Sequence, residues 1–165
     1  MMESRHAYRR HLPHYQSDFR TYLVTICSSK RRLLVEQARN LALAHIVFDH
    51  SQRIWLHAAV VMPDHVHLLL TPMTAPNGWS FPLATILQGI KGASARSINL
   101  ALGTEGPVWQ HESFDHELRH DESVRQKAEY IAQNPVRKGL CATSDEYPWL
   151  WREWIDGGKY RGTTS

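Results

Sequence analysis

The chain has 165 residues, of which 42% are hydrophobic and 21% are charged. This length and composition are typical of one globular domain with a core, and no run approaches the roughly 18 apolar residues of a membrane helix. Its two cysteines, Cys27 and Cys141, exclude a disulfide framework and a CxxC metal site. The basic, aromatic N-terminus lacks the apolar stretch of a signal peptide, so we expect a cytoplasmic protein.

The basic residues are clustered, although the formal net charge is only +3. The first cluster includes Arg9 and Arg10 and is interleaved with histidine and tyrosine, and further clusters lie at residues 30–32, 137–138 and 159–161. Basic patches with aromatic residues suit a phosphate backbone and unstacked bases. Taken singly, each cluster is more simply a solvated surface. Taken together, they make nucleic acid the leading class of partner.

The predicted elements follow the order β-α-β-β-α-β-α. Strands are predicted, from β-branched and apolar runs, over residues 19–29, 54–62, 65–71 and, from a weaker pattern, 107–119. Helices are predicted, from their apolar spacing, over residues 33–50, 81–103 and 121–134. Asp121 is the predicted cap of the third helix, and Pro135 should end it near Asn134. This order predicts an α+β fold, with a ferredoxin-like antiparallel four-stranded sheet that carries helices on one face.

Two histidines interrupt the apolar run VVMPDHVHLLLTP, residues 60–72. Alternate residues of a strand point to the same face, so His65 and His67 should stand side by side while Val66 points away. Such a pair is half of a metal site. The alternative is a pair of neutral core histidines bonded to the backbone. Because buried polar groups need partners, two histidines within three residues favour the metal.

The third predicted helix displays a phenol and an amide together. Its apolar stripe passes through Ala128 and Ile131, and Tyr130 lies at the edge of that stripe with Lys127 and Asn134 on its own side. An amide oxygen could join two imidazoles on a divalent ion, and a phenol one turn away could act as a nucleophile. From the helix alone, a tyrosine whose ring merely covers the sheet is the simpler interpretation.

Several segments together resemble a known family. The triplet His65-Val66-His67 resembles the HUH motif (histidine, hydrophobic residue, histidine) of single-strand DNA nucleases. The segment YIAQNPVRKGL, residues 130–140, resembles the nucleophile helix of single-tyrosine insertion-sequence transposases. With YRR near the N-terminus, MPDHVHLL and VWQHESFDHELR, the chain up to about residue 151 is similar to the REP-associated tyrosine transposases, bacterial relatives encoded among repetitive extragenic palindromes.

The resemblance implies an HUH nuclease fold, with residues 1–140 as the catalytic domain and residues 141–165 as a Trp-rich tail packed on it. It also implies a divalent ion, Mg²⁺ or Mn²⁺, held by His65 and His67, with Tyr130 as the nucleophile. Asn134 is the candidate third ligand. Many transposon relatives carry Gln at that position, whereas Asn agrees with the REP-associated subgroup.

The implied substrate is single-stranded DNA beside a REP-like palindrome, cleaved through a 5′-phosphotyrosine intermediate by a monomer or a homodimer. Charge and resemblance make Arg9, Arg10, Lys91 and Lys127 the candidate DNA contacts. Two alternatives remain open: a metal nuclease that uses water, and a hairpin-binding protein without catalysis. A barrel-type metallo-hydrolase also uses an HxH pair, but it needs about 250 residues and is excluded by length.

Overall fold

The computed structural model describes residues 20–157, so the predicted DNA contacts Arg9 and Arg10 lie outside the described residues. The strands of this part of the chain are β1 (Tyr22–Cys27), β2 (Ile54–Val61), β3 (His65–Pro72), β4 (Phe114–Glu117) and β5 (Leu150–Arg152). The α-helices of the same part are α1 (Glu36–Phe48), α2 (Leu83–Leu102), α3 (Val124–Arg137) and the short α4 (Glu153–Asp156). Two 3-10 helices cover Ser29–Arg31 and Ser144–Glu146.

The strands form one antiparallel sheet in the order β4-β1-β3-β2-β5. Every residue of β2 is buried, because this strand lies inside the sheet and both of its faces are covered. The α+β fold with an antiparallel sheet is thus confirmed, although the sheet has five described strands where four were predicted. The additional strand, β5, comes from the Trp-rich segment and pairs with β2, placing Trp151 opposite Ala59.

Helices α1 and α2 pack on one face of the sheet. Each buries a stripe of residues spaced by four, which is the period that keeps side chains on one side of a helix. The stripes consist of Ala38, Ala42 and Ile46 in α1, and Ile86, Ile90, Ser94 and Ile98 in α2. Helix α2 ends where predicted, with Gly103 in the left-handed conformation at φ 65°.

Helix α3 covers the opposite face. Its residues Ala128 and Ile131 belong to the same buried cluster as Leu69 of β3. Because side chains alternate along a strand, His65 and His67 share the face of Leu69. The fold therefore brings the histidine pair and α3 to the same side of the sheet.

The predicted bounds of the third helix were wrong at both ends. Ser123, not Asp121, is the N-cap, and its Oγ accepts a hydrogen bond from the backbone N–H of Gln126 at 3.3 Å. The helix also passes through Pro135 and ends at Arg137. A proline removes one hydrogen bond and crowds the carbonyl four residues before it, but Pro135 lies in the last turn, where the next two residues still keep helical geometry.

The predicted strand over residues 107–119 is much shorter in the structure. Only Phe114–Glu117 pair with β1, and all four are exposed at the edge of the sheet. Trp109 instead turns into the core, where its Nε1–H donates to Ser94 Oγ at 2.9 Å. None of the helices within residues 20–157 combines the length and apolar character needed to cross a membrane.

Candidate active site

The two histidines of β3 lie side by side, with their ring centroids 4.8 Å apart. Nδ1 of His65 lies 2.7 Å from Oδ1 of Asp64, and Nδ1 of His67 lies 2.9 Å from Oγ1 of Thr25 on the neighbouring strand. Both rings are therefore anchored through the same nitrogen. When Nδ1 carries the proton and donates it, the lone pair of Nε2 is left to bind a ligand.

Asp64 links His65 to a cation. Its Oδ2 accepts a hydrogen bond from Nε of Arg31 at 3.0 Å and is also 3.0 Å from the Nη2 of that side chain. Partial burial alone would raise the pKa of Asp64, but the hydrogen bond from His65 and the charge of Arg31 outweigh it and lower the pKa. The carboxylate therefore stays ionised and accepts the Nδ1–H of His65, an arrangement typical of histidines that bind metals.

The surroundings of His67 keep its imidazole neutral. Burial lowers the pKa of His67 to about 4, and the charges of His65, Arg137 and Lys138 lower it in the same direction. A neutral imidazole is the form that binds a metal ion. Arg137 and Lys138 stand at the C-terminal end of α3, the helix that covers the face of the histidine pair.

Helix α3 presents the two predicted polar groups differently. Asn134 is 5% exposed, whereas Tyr130 is 55% exposed. Residues four apart on a helix lie about 40° apart around its axis, so Tyr130 stands at the solvent border of the surface that buries Asn134. The phenol is therefore open to solvent, whereas the amide lies in the core.

The predicted ligands of the divalent ion are two imidazoles and the amide of Asn134. Within residues 20–157, no three histidine, cysteine or carboxylate side chains come together as a metal cluster. That His65, His67 and Asn134 bind one ion stays a prediction. Such a set leaves coordination positions for phosphate and water oxygens, as a catalytic ion requires.

Comparison with known proteins identifies the family. Residues 15–134 match the family model described as "Transposase IS200 like", which is more than half of the chain.

The chain belongs to the IS200-like transposase family.

Within this transposase family, the chain is similar to the REP-associated tyrosine transposase of Escherichia coli (strain K12). The two are 24% identical over 127 residues, which are 77% of this chain and 72% of that protein. A solved structure described as "Structure of the REP associates tyrosine transposase bound to a REP hairpin" is 19% identical, covers 93% of this chain and 89% of that chain, and has a TM-score of 0.63. The predicted resemblance and the predicted fold are therefore confirmed.

Of the predicted DNA contacts, the structure describes Lys91 and Lys127, and both pair with protein groups. Nζ of Lys91, in α2, donates to the carbonyl of His111 at 2.7 Å and to Oγ of Ser113 at 3.3 Å, and burial lowers the pKa of Lys91. Nζ of Lys127 lies 3.4 Å from Oε2 of Glu122. Both ammonium groups thus already bind the segment around β4, and their contact with DNA stays a prediction.

Three residues beside the histidines were not predicted as part of the site: Thr25, Arg31 and Asp64. A signal for Asp64 was present, because a carboxylate directly precedes the first histidine in PDHVH. Arg31 stood out only as a member of a basic cluster. Thr25 had no signal, because its position depends on the pairing of β1 with β3, which sets Thr25 opposite His67.

Proposed function

We propose that this transposase is a metal-dependent, single-tyrosine DNA endonuclease and strand transferase. The observation that carries the proposal is the geometry of β3 and α3. His65 and His67 are anchored through Nδ1, and they lie on the face covered by the helix that carries Tyr130. In this proposal, residues 1–140 form the catalytic domain and residues 141–165 form its C-terminal tail.

His65, His67 and Asn134 are the residues that would hold the divalent ion, Mg²⁺ or Mn²⁺. Bound there, the ion would polarise a nonbridging phosphate oxygen and stabilise charge on the transition state. The protein contributes the orientation of the ligands. Asp64 fixes the tautomer of His65, and the low pKa of His67 keeps its ring neutral.

Tyr130 is the proposed nucleophile. Its phenolic oxygen loses its proton and attacks phosphorus in line. The bond between phosphorus and the 3′ oxygen breaks, and the 3′ oxygen gains a proton. The products are a 5′-phosphotyrosine and a free 3′-OH. Since one phosphodiester replaces another, a DNA 3′-OH can reverse the attack and join a new strand.

The proposed substrate is single-stranded DNA next to a hairpin formed by a REP-like palindrome. The support comes from the relative whose structure is described as bound to a REP hairpin and from the basic clusters of this chain. A phosphate in a regular duplex is hard to bring to an exposed tyrosine beside a buried metal ligand, whereas a flexible flank reaches it. Lys91, Lys127, Arg9 and Arg10 are the proposed DNA contacts, in a monomer or a homodimer.

The proposal is tested with an oligonucleotide that carries a palindrome and a single-stranded flank. We expect cleavage with Mg²⁺ and at least equally with Mn²⁺, because imidazole ligands suit Mn²⁺ better. His65→Ala and His67→Ala should abolish cleavage and leave hairpin binding largely intact, and the exposed His120→Ala serves as the matched control. Full cleavage in excess chelator would contradict the metal role. Binding without any cleavage by the unmutated protein would instead favour a pure hairpin-binding module.

A further inference from the structure

The side chain of Arg137 contacts Tyr130 in two places. Its guanidinium carbon lies 4.0 Å from the centroid of the Tyr130 ring, and its Nη2 donates to the backbone carbonyl of Tyr130 at 2.8 Å. Seven residues of helix span about 10 Å, so Arg137 reaches Tyr130 only by extending back along the helix. Long helical side chains lean in this direction, towards the N-terminus.

The sequence of α3 explains why the backbone accepts this bond. Pro135 has no N–H, so it makes no hydrogen bond to the carbonyl of Ile131. A carbonyl oxygen has two lone pairs, so the carbonyl of Tyr130 can accept from a side-chain donor beside its helical bond. Arg137 supplies such a donor to Tyr130, next to the carbonyl that the proline leaves without its helical partner.

The ring contact matters because Tyr130 is not held by the core. Its side chain is 55% exposed, whereas the next residue, Ile131, is fully buried against the sheet. An exposed tyrosine samples several rotamers unless a neighbour restricts it. The guanidinium stacked on the ring provides that restriction, through a cation–π contact.

Arg137 is the last residue of α3, which covers the face of the sheet that carries the histidine pair. Its guanidinium stacks on the ring of Tyr130, on the same helix. It carries five N–H donors, and the Tyr130 carbonyl takes one of them.

We propose that Arg137 is a positioning residue for the Tyr130 nucleophile, holding the phenol at the border of α3 towards the histidine pair. This inference rests on the proposed function, since it assigns Tyr130 the attacking oxygen. A purely structural arginine at the end of the helix would stabilise α3 without affecting the ring.

The test compares Arg137→Met with Lys138→Met. Methionine is about as long as the apolar part of an arginine or lysine side chain, but it carries no charge. Lys138 is the neighbouring cation, but the cation stacked on the Tyr130 ring is that of Arg137, so Lys138→Met controls for the loss of charge. An Arg137→Lys variant keeps a cation but lacks the planar guanidinium, so it cannot stack on the ring and bind the carbonyl at the same time.

The first measurement needs neither DNA nor metal. With 3-fluorotyrosine placed at position 130, we expect the fluorine NMR resonance to shift in Arg137→Met and to stay in place in Lys138→Met. An unchanged resonance in Arg137→Met would overturn the proposal. This outcome is independent of whether Tyr130 attacks DNA, so it is distinguishable from failure of the proposed function.

The second measurement is the single-turnover rate of cleavage on the hairpin oligonucleotide. Misplacing a reacting group by about 1 Å costs on the order of 100-fold, so we expect a loss of about 10- to 100-fold in Arg137→Met, with partial recovery in Arg137→Lys. Hairpin affinity should change much less than the rate. A lower unfolding temperature with an unchanged cleavage rate would assign Arg137 to helix stability alone and overturn the proposal.

Discussion

The contact between Asp64 and His65 gives a quantitative prediction. Asp64→Asn keeps the size of the side chain but removes its negative charge. In the unmutated protein, the carboxylate accepts a hydrogen bond from Nδ1 of His65 at 2.7 Å and forms an ion pair with Arg31 at 3.0 Å. Replacing the hydrogen-bond partner of a metal-binding histidine typically costs about 10- to 100-fold in metal affinity. We therefore expect Mn²⁺ binding to weaken by about 1.4 to 2.8 kcal/mol.

The effect of Asp64→Asn on folding should be smaller than its effect on metal binding. The side chains of Arg31 and Asp64 are 51% and 27% exposed, and ion pairs with this degree of exposure contribute at most about 1 kcal/mol. Calorimetric titration with Mn²⁺ and unfolding in urea measure the two quantities separately. The control is Asp145→Asn, which removes a carboxylate paired with Arg152 at 2.9 Å. Unaltered Mn²⁺ affinity in Asp64→Asn would refute the reasoning.

Two further predictions concern stability. Ile131 is fully buried between α3 and the sheet, so Ile131→Ala should lower the free energy of unfolding in urea by about 2 to 5 kcal/mol, while the exposed Ile155→Ala should change it by less than about 0.5 kcal/mol. Burial lowers the pKa of His57 to about 3 from 6.5, with a further contribution from His50. Between these values the unfolded chain binds a proton that the folded chain does not, so stability should fall as the pH drops from 6.5 towards 3. His57→Gln should reduce the slope of urea-unfolding stability across that window, where His67 acts in the same direction, and an unchanged slope would show that His57 does not contribute.

Local patterns predicted the parts of the site that depend on local geometry. The shared face of His65 and His67 follows from the alternation of a strand, and the bordering position of Tyr130 follows from the helical period. Both positions are set within a single strand or helix and do not depend on what that strand or helix packs against. The end of α2 at Gly103 was predictable for the same reason, since a left-handed residue terminates a helix regardless of its neighbours.

The remaining features depend on contacts between distant residues. Thr25 reaches His67 through the register of β1 against β3, and Trp151 enters the core because β5 pairs with β2. No periodicity within either segment specifies such pairing. Arg137 was visible only as a basic residue, because its position on Tyr130 requires a helix that continues through Pro135.

The covalent adduct between protein and DNA tests the central claim most directly. After incubation with a metal ion and the hairpin oligonucleotide, we predict a denaturant-resistant adduct whose modified peptide contains Tyr130. Tyr130→Phe should lose both adduct and cleavage but keep its fold and hairpin affinity, since the ring is retained and phosphate affinity comes from basic residues. Tyr147→Phe should still form the adduct, because that hydroxyl is buried and donates to the carbonyl of Val61 at 2.6 Å. Cleavage without an adduct, or an adduct that persists in Tyr130→Phe, would contradict the account.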